Sequence, residues 1–305
     1  MECAHEEYYA TISFMLLQLH QVFNLLLLLF IGKYIAHLYL SWVSILVVIL
    51  FTVTIEHLMI YIKTDRISFF SFSSLSTAVG VMLMMVTPHL WIILLVIAFG
   101  LFQKHFLQYR GEHFFNPSNF ALMAGLLLFY NDAHIVLGQL GDNIGVEIFI
   151  ISLGIIILYR AQRWLIPITF VVSYLLLQYI FIVKNDPVQL MEMIYYRFYS
   201  VSFIVFILFM LTDPKTTPQK YWHQLIFALM IALGATLFDY YKGFRVQHLF
   251  MMLFVSSILV PLLNNWHKKK QIKILVYISW TLVLLALGAI IYIEIQPPYY
   301  FEMDK

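Results

Sequence analysis

About ten or eleven apolar stretches, separated by loops of only a few residues, follow one another along this chain. Crossing a hydrocarbon core about 30 Å thick takes about 20 predominantly apolar residues in a helix. Lipid offers backbone N–H and C=O groups no partner, so an open chain crosses only as helices that satisfy those groups internally. The predicted fold is therefore all-α: a polytopic membrane protein with about 10–11 transmembrane or re-entrant helices, in a single integral membrane domain covering residues 1–305. The spans fall near residues 11–31, 38–62, 70–86, 89–103, 116–130, 146–159, 164–183, 195–211, 221–241, 246–263 and 274–293. Several are short, the third to the sixth above all, which marks them as candidates for broken or re-entrant segments.

The composition excludes other classes. Of 305 residues, 62% are hydrophobic and 11% charged, against about 25% charged in soluble domains. No segment is large enough to form a separate water-soluble catalytic domain, and nothing points to nucleic acid. The single cysteine, Cys3, rules out an internal disulfide and a cysteine-ligated zinc or iron–sulfur site within one chain. The first residues, MECAHEEYY, are acidic and lack a small-residue cleavage site, so no removable signal peptide is expected. Lys63, Arg66, Lys104, Arg110, Arg160, Arg163, Lys215, Lys220 and the cluster at Lys268, Lys269, Lys270 and Lys273 fall on one side. By the positive-inside rule that side and the N-terminus are cytoplasmic, which in a bacterial cell means the inner membrane. Trp91, Trp164, Trp222 and Trp266 lie near span ends, where amphipathic rings favour the headgroup region.

Two interruptions of this pattern stand out. Asn116-Pro117 joins a polar loop to an apolar helix: Asn suits the N-cap and Pro the first helical position, where a missing N–H costs nothing. Buried at membrane depth, the free N–H groups of such a helix start form a site for an anion or polar ligand; at the surface the same residues are an ordinary cap. The second step is Thr212-Asp213-Pro214, followed by Lys215, Thr216 and Thr217. Either Thr212 or Asp213 can cap there and Pro214 can begin a new turn, and a plain turn between helices accounts for the residues equally well. The two steps echo each other, as matching interruptions do in inverted-repeat transporters.

Glu56 lies within the second span, followed by His57, Lys63 and Arg66. An ionisable group in a span is costly and is a candidate ion or proton ligand by default. Its place near the span end also allows interfacial solvation, or pairing with His57 or Lys63. Asp239 and Glu294, close to span ends, read as interfacial. The eleven histidines form no matched pair across two long helices, so no haem is expected. Met82, Met84, Met85, Met251 and Met252 read as adaptable packing rather than as metal ligands.

Taken in order, Glu56, Ser74-Leu-Ser-Thr-Ala-Val-Gly-Val-Met-Leu, His113-Phe-Phe-Asn-Pro-Ser-Asn-Phe-Ala, Gly141-Asp-Asn-Ile-Gly-Val-Glu147, Tyr159-Arg-Ala-Gln-Arg-Trp-Leu-Ile-Pro-Ile, Phe209-Met-Leu-Thr-Asp-Pro-Lys-Thr-Thr-Pro and Val260-Pro-Leu-Leu-Asn form a recognisable series. Over about residues 56–264 the chain resembles the RnfD/NqrB family, which contains the D subunit of Rnf electron-transport complexes and the B subunit of sodium-pumping NADH:quinone oxidoreductase. The resemblance implies a flavin-carrying subunit in electron transfer coupled to movement of Na⁺ or H⁺, with other membrane subunits of a redox complex as partners. It also implies FMN esterified to a threonine of a Ser-Gly-Ala-Thr type motif. Residues 131–145 stand in that place and contain neither serine nor threonine. The expectation is therefore no covalent FMN, with any FMN or riboflavin held noncovalently. Asn116, Pro117, Thr212 and Asp213 are the expected site residues, and Glu56 is a candidate for the ion or proton route. Val201 and Ser202 stand where the family has close-packing glycines. A transporter or exporter of a small solute, keeping the fold without its cofactor, is the alternative.

Overall fold

The computed structural model describes residues 19, 22–35, 38–65, 72–136, 144–185, 191–265 and 269–295. Cys3, Arg66, Trp266, Lys268, residues 11–18, 20 and 21 of the first predicted span and residues 137–143 of the stretch without hydroxyls lie outside them. Among the described residues the helices are α1 (Val22–Tyr34), α2 (Trp42–Thr64), α3 (Phe72–Met84), α4 (Leu90–Phe106), α5 (Pro117–Leu128), α6 (Ile144–Ala161), α7 (Leu165–Gln178), α8 (Met191–Phe198), α9 (Val201–Val205), α10 (Tyr221–Lys242), α11 (Gln247–Asn265) and α12 (Lys269–Ile295). A π turn extends α7 over Tyr179–Val183, and another extends α9 over Phe206–Met210. Six helices are long and apolar enough to cross a membrane: α2, α6, α7 with its π turn, α10, α11 and the Leu275–Ile295 part of α12. The all-α polytopic fold is thus as expected.

The surface is greasy and the polar groups are inside. Leu46, Leu50, Leu229, Leu284 and Leu285 are exposed, while Asn24, Gln103, Gln178, Gln224 and His248 are fully buried. Large exposed apolar faces on isolated helices mark contact with lipid. Trp91, Trp164 and Trp222 are exposed at helix starts, in keeping with interfacial anchoring.

The short elements surround the interior. At 1.5 Å per residue, α3 with 13 residues and α5 with 12 reach only about 20 Å, so neither crosses alone. Extended chain completes both: Met85–Val86 (β1) pairs antiparallel with His134–Ile135 (β4), in the register Met85 to Ile135 and Val86 to His134. Near the opposite ends, Gln108–Tyr109 (β2) and Glu112–His113 (β3) form a hairpin between α4 and α5. Its tight turn uses Arg110 and Gly111, both at positive φ.

Lipid gives helices little hydrophobic reason to associate, so close approach of small residues does the holding. A Cβ on Gly80 would meet Ser118 Oγ at 2.6 Å, and one on Gly100 would meet the Pro117 carbonyl oxygen at 2.5 Å. These glycines let α3 and α4 press against the start of α5. Because the obstacle at Gly100 is backbone, Gly100→Ala is expected to cost about 1–3 kcal/mol. Its thermal midpoint in detergent should fall; an unchanged midpoint would show that α5 can shift freely.

Candidate functional site

Asn116 caps α5 as its sequence demands: the side-chain Oδ1 accepts from Ser118 N at 3.0 Å and Asn119 N at 3.1 Å. The amide's other end is left to reach elsewhere. Asn116 Nδ2 donates to Asp213 Oδ2 at 3.3 Å, so the two proline-marked steps, far apart in the chain, meet. Asp213 does not start a helix, as Pro214 had allowed. Its Oδ1 accepts from Lys215 N at 3.1 Å, and its carbonyl accepts from Thr217 Oγ1 at 2.8 Å. Asp213 therefore closes a tight turn, which Arg163 pins from the α6–α7 loop by donating Nε to Thr217 Oγ1 at 2.9 Å. Thr212 is buried and turns away, its hydroxyl donating to Leu208 O at 2.6 Å within the π turn. Single π turns recur at functional sites because they re-aim the following residues.

Asn116, Pro117 and Asp213 line one cavity of about 60 Å³ with Ser76, Thr77, Ser118, His113 and Lys215. That is room for a few waters or an ion. His113 and Lys215 also line a second, wider space of about 320 Å³, whose walls include Arg110, Glu112, Gln219, Asn264 and Asn265. The two spaces therefore share a boundary: a polar vestibule by the hairpin and, behind His113 and Lys215, the inner cavity. Burial, reinforced by the charges of Lys104 and Lys215, pushes the His113 imidazole down to about 3, so it is neutral near pH 7. Burial pushes the Asp213 carboxyl upward, against the Lys215 amide, the Lys215 charge and Arg163.

Glu56 belongs to a different arrangement from the one its neighbours in sequence suggested. It is buried within the protein and pairs with neither His57 nor Lys63. Its carboxylate accepts from Lys104 Nζ at 2.5 Å and faces His105 Nε2 at 2.9 Å, both from α4. His57 bonds back to Val53 O, and Lys63 donates to His105 O and Gln108 Oε1. Sequence reading placed Lys104 in a loop-side cluster and missed its role. A lysine in the last turn of an apolar helix, with an acid in a neighbouring span, was the available signal.

Asp239 and Glu294 lie near the ends of α10 and α12, as expected, and both are buried within the protein. They sit in a network with Tyr174, Gln178, Arg197, Arg245, Gln247 and His248. No group of three or more His, Cys, Asp or Glu side chains able to hold a metal ion occurs among the described residues.

An apolar helical exterior around buried polar cavities, with broken helices at their centre, defines a multi-pass membrane protein built around an internal polar site. Residues 126–273 match the model of the NQR2, RnfD, RnfE family. The match covers just under half of the chain and supports an RnfD/NqrB-like membrane subunit at the level of the family. The matched residues include Thr212 and Asp213 and begin after Glu56, Asn116 and Pro117. No curated protein matches the chain.

Proposed function

We propose that this chain is the ion-conducting membrane subunit of a redox-driven Na⁺ or H⁺ pump, working beside other membrane subunits in the bacterial inner membrane and without covalent FMN. The contact between Asn116 and Asp213 carries this reading, because it joins both chain interruptions at one small polar cavity behind a charged vestibule. Transporters build their ion stations in the same way, from discontinuous helices that meet inside the membrane domain. The cavity supplies a carboxylate, amide and hydroxyl oxygens, and a neutral imidazole, all ligands for a small cation or carriers of a proton. Glu56 is the second station, a carboxylate whose charge is held by Lys104 until a cation or proton replaces it.

The absence of covalent FMN rests on residues 131–145, which offer no hydroxyl for a phosphoester. The inner cavity of about 60 Å³ is also far below the few hundred Å³ of ordinary small-molecule pockets, so a noncovalent flavin would sit elsewhere or displace α3. The same two facts favour a second reading, a stand-alone transporter of a small solute.

Purified protein separates the two readings by its visible spectrum and by flux in proteoliposomes. In the first reading, Na⁺ or H⁺ movement depends on partner subunits and an electron donor. Unassisted solute transport by a colourless chain supports the second. A fluorescent band that survives denaturing electrophoresis would refute the absence of covalent FMN. Asn116→Ala and Asp213→Asn are each expected to lower ion flux about tenfold, the equivalent of about 1.4 kcal/mol, at unchanged expression. Parallel loss of flux and expression would reduce both residues to turn and cap formers.

A further inference from the structure

Away from the Asn116–Asp213 cavity, toward the end of α10 and the start of α11, lies the network that the proposed ion route does not use. His248 is fully buried between two carboxylates. Its Nδ1 is 2.7 Å from Asp239 Oδ1, and its Nε2 is 3.4 Å from Glu294 Oε1. An ionised carboxylate only accepts hydrogen bonds, and a neutral imidazole has one N–H. The short contact to Asp239 claims that hydrogen for Nδ1. Nε2 then turns a lone pair toward Glu294, and the pair attracts only if one more proton sits on Nε2 or on the Glu294 carboxyl.

The surroundings keep that proton in balance. From α7, Gln178 Nε2 donates to Asp239 Oδ2 at 2.8 Å and Tyr174 OH does so at 3.3 Å. From α8, Arg197 Nη1 lies 3.4 Å from the same oxygen. Arg245 N donates to Asp239 Oδ1 at 3.1 Å, and Arg245 Nη1 lies 3.2 Å from Glu294 Oε2. Gln247 donates to Glu294 Oε1, and the Phe238 ring stands against the imidazole. Two arginines balance two carboxylates, so a neutral His248 leaves the cluster uncharged and an added proton makes it singly positive. Gln178 Oε1 and Arg197 Nη2 remain without partners, whereas a purely structural buried network tends to satisfy every member. Arg245 is the partly exposed member, with 31% of its side chain open, so the site lies one side chain from the outside.

We infer that Asp239, His248 and Glu294 form a proton-binding site, separate from the Asn116–Asp213 cavity, which holds one exchangeable proton between His248 Nε2 and Glu294 Oε1. With the proton, Glu294 is tied to His248; without it, Glu294 is left to Arg245 and Gln247. The site follows from its own geometry and does not require the chain to work in a redox pump.

The test is a pH titration of the His248 imidazole by nitrogen NMR in the full chain, labelled at histidine and reconstituted in lipid nanodiscs, with the resonance assigned by its absence in His248→Gln. Glu294→Gln removes a negative neighbour and is expected to lower the proton affinity of His248 at least tenfold, a shift of about one pH unit. Arg245→Gln removes a positive neighbour and is expected to shift the midpoint the other way. Loss of folding cannot produce opposite shifts, and Glu192→Gln, on an exposed residue of α8, should leave the midpoint in place. A His248 midpoint indifferent to both Glu294→Gln and Arg245→Gln, or shifted by both in the same direction, would overturn the inference.

Discussion

Lys104→Met should destabilise the protein by about 3–5 kcal/mol, because it strands a buried carboxylate. Glu56 is 1% exposed and Lys104 8% by side chain, and the two atoms that pair are 2.5 Å apart. Breaking such a pair from one side leaves a charge that neither water nor the remaining protein neutralises. His105, 2.9 Å from the other carboxylate oxygen, is the polar partner left to it. The defect should shrink as pH falls, because a buried carboxylate without its countercharge is relieved by taking up a proton that the unfolded chain does not hold as tightly. The double variant Glu56→Gln with Lys104→Met should recover most of the stability, since removing both members of a buried pair is often close to neutral. Denaturant unfolding of the four proteins in one detergent gives the coupling directly. A Lys104→Met protein within 1 kcal/mol of wild type would show that Glu56 is hydrated. In the proposed ion route, Lys104 is then the group whose displacement opens Glu56 to a cation.

This pair also shows where sequence reading succeeds and where it stops. Local rules found Asn116 because a cap is written within three residues: its oxygen and the Ser118 and Asn119 amides are neighbours in the chain. The spans were found for a similar reason, since solvent preference acts residue by residue. The partners of Glu56 lie 48 and 49 positions away on α4, and no local pattern encodes them. Lys63, about two turns along the same helix, was the nearer candidate and bonds elsewhere. The contact between Asn116 and Asp213 spans 97 positions; only the echo of the two Pro steps hinted at it. For Asp239 and Glu294 the sequence shows a position near a span end but no sign of the partners that bury them. Asp239 is held by Arg197 from α8, a helix of eight residues, and Glu294 by Arg245 and Gln247; the predicted span at 195–211 contained Arg197 without showing what it would meet. The two π turns were invisible for another reason: their sequences, YIFIV and FILFM, carry nothing that distinguishes them from ordinary helix.

Arg197→Met is expected to have an effect as large as Lys104→Met, and for a more composite reason. The guanidinium is 6% exposed; it approaches Asp239 Oδ2 at 3.4 Å, donates to the Tyr174 hydroxyl, and stacks over the Phe244 ring with its carbon 3.4 Å from the ring centre. Removing it leaves Asp239 short of a countercharge inside the bundle, at about 3–5 kcal/mol, and forfeits a cation–π contact worth about 0.5–2 kcal/mol. Arg197→Lys keeps the charge but not the flat fork that serves a hydroxyl, a carboxylate and a ring together, so it should recover only part of the loss. The control is Asp239→Asn, which removes the charge that Arg197 balances: added to Arg197→Met it should reduce the defect, giving a coupling energy of at least 1 kcal/mol in a double-mutant cycle. Additive losses would mean that Arg197 acts through Tyr174 and Phe244 alone. Because Arg197 ties α8 to Tyr174 of α7 and Asp239 of α10, the Arg197→Met protein should also become open to protease near residues 191–199 before the rest of the bundle unfolds, a local opening that Lys104→Met, acting between α2 and α4, should not produce.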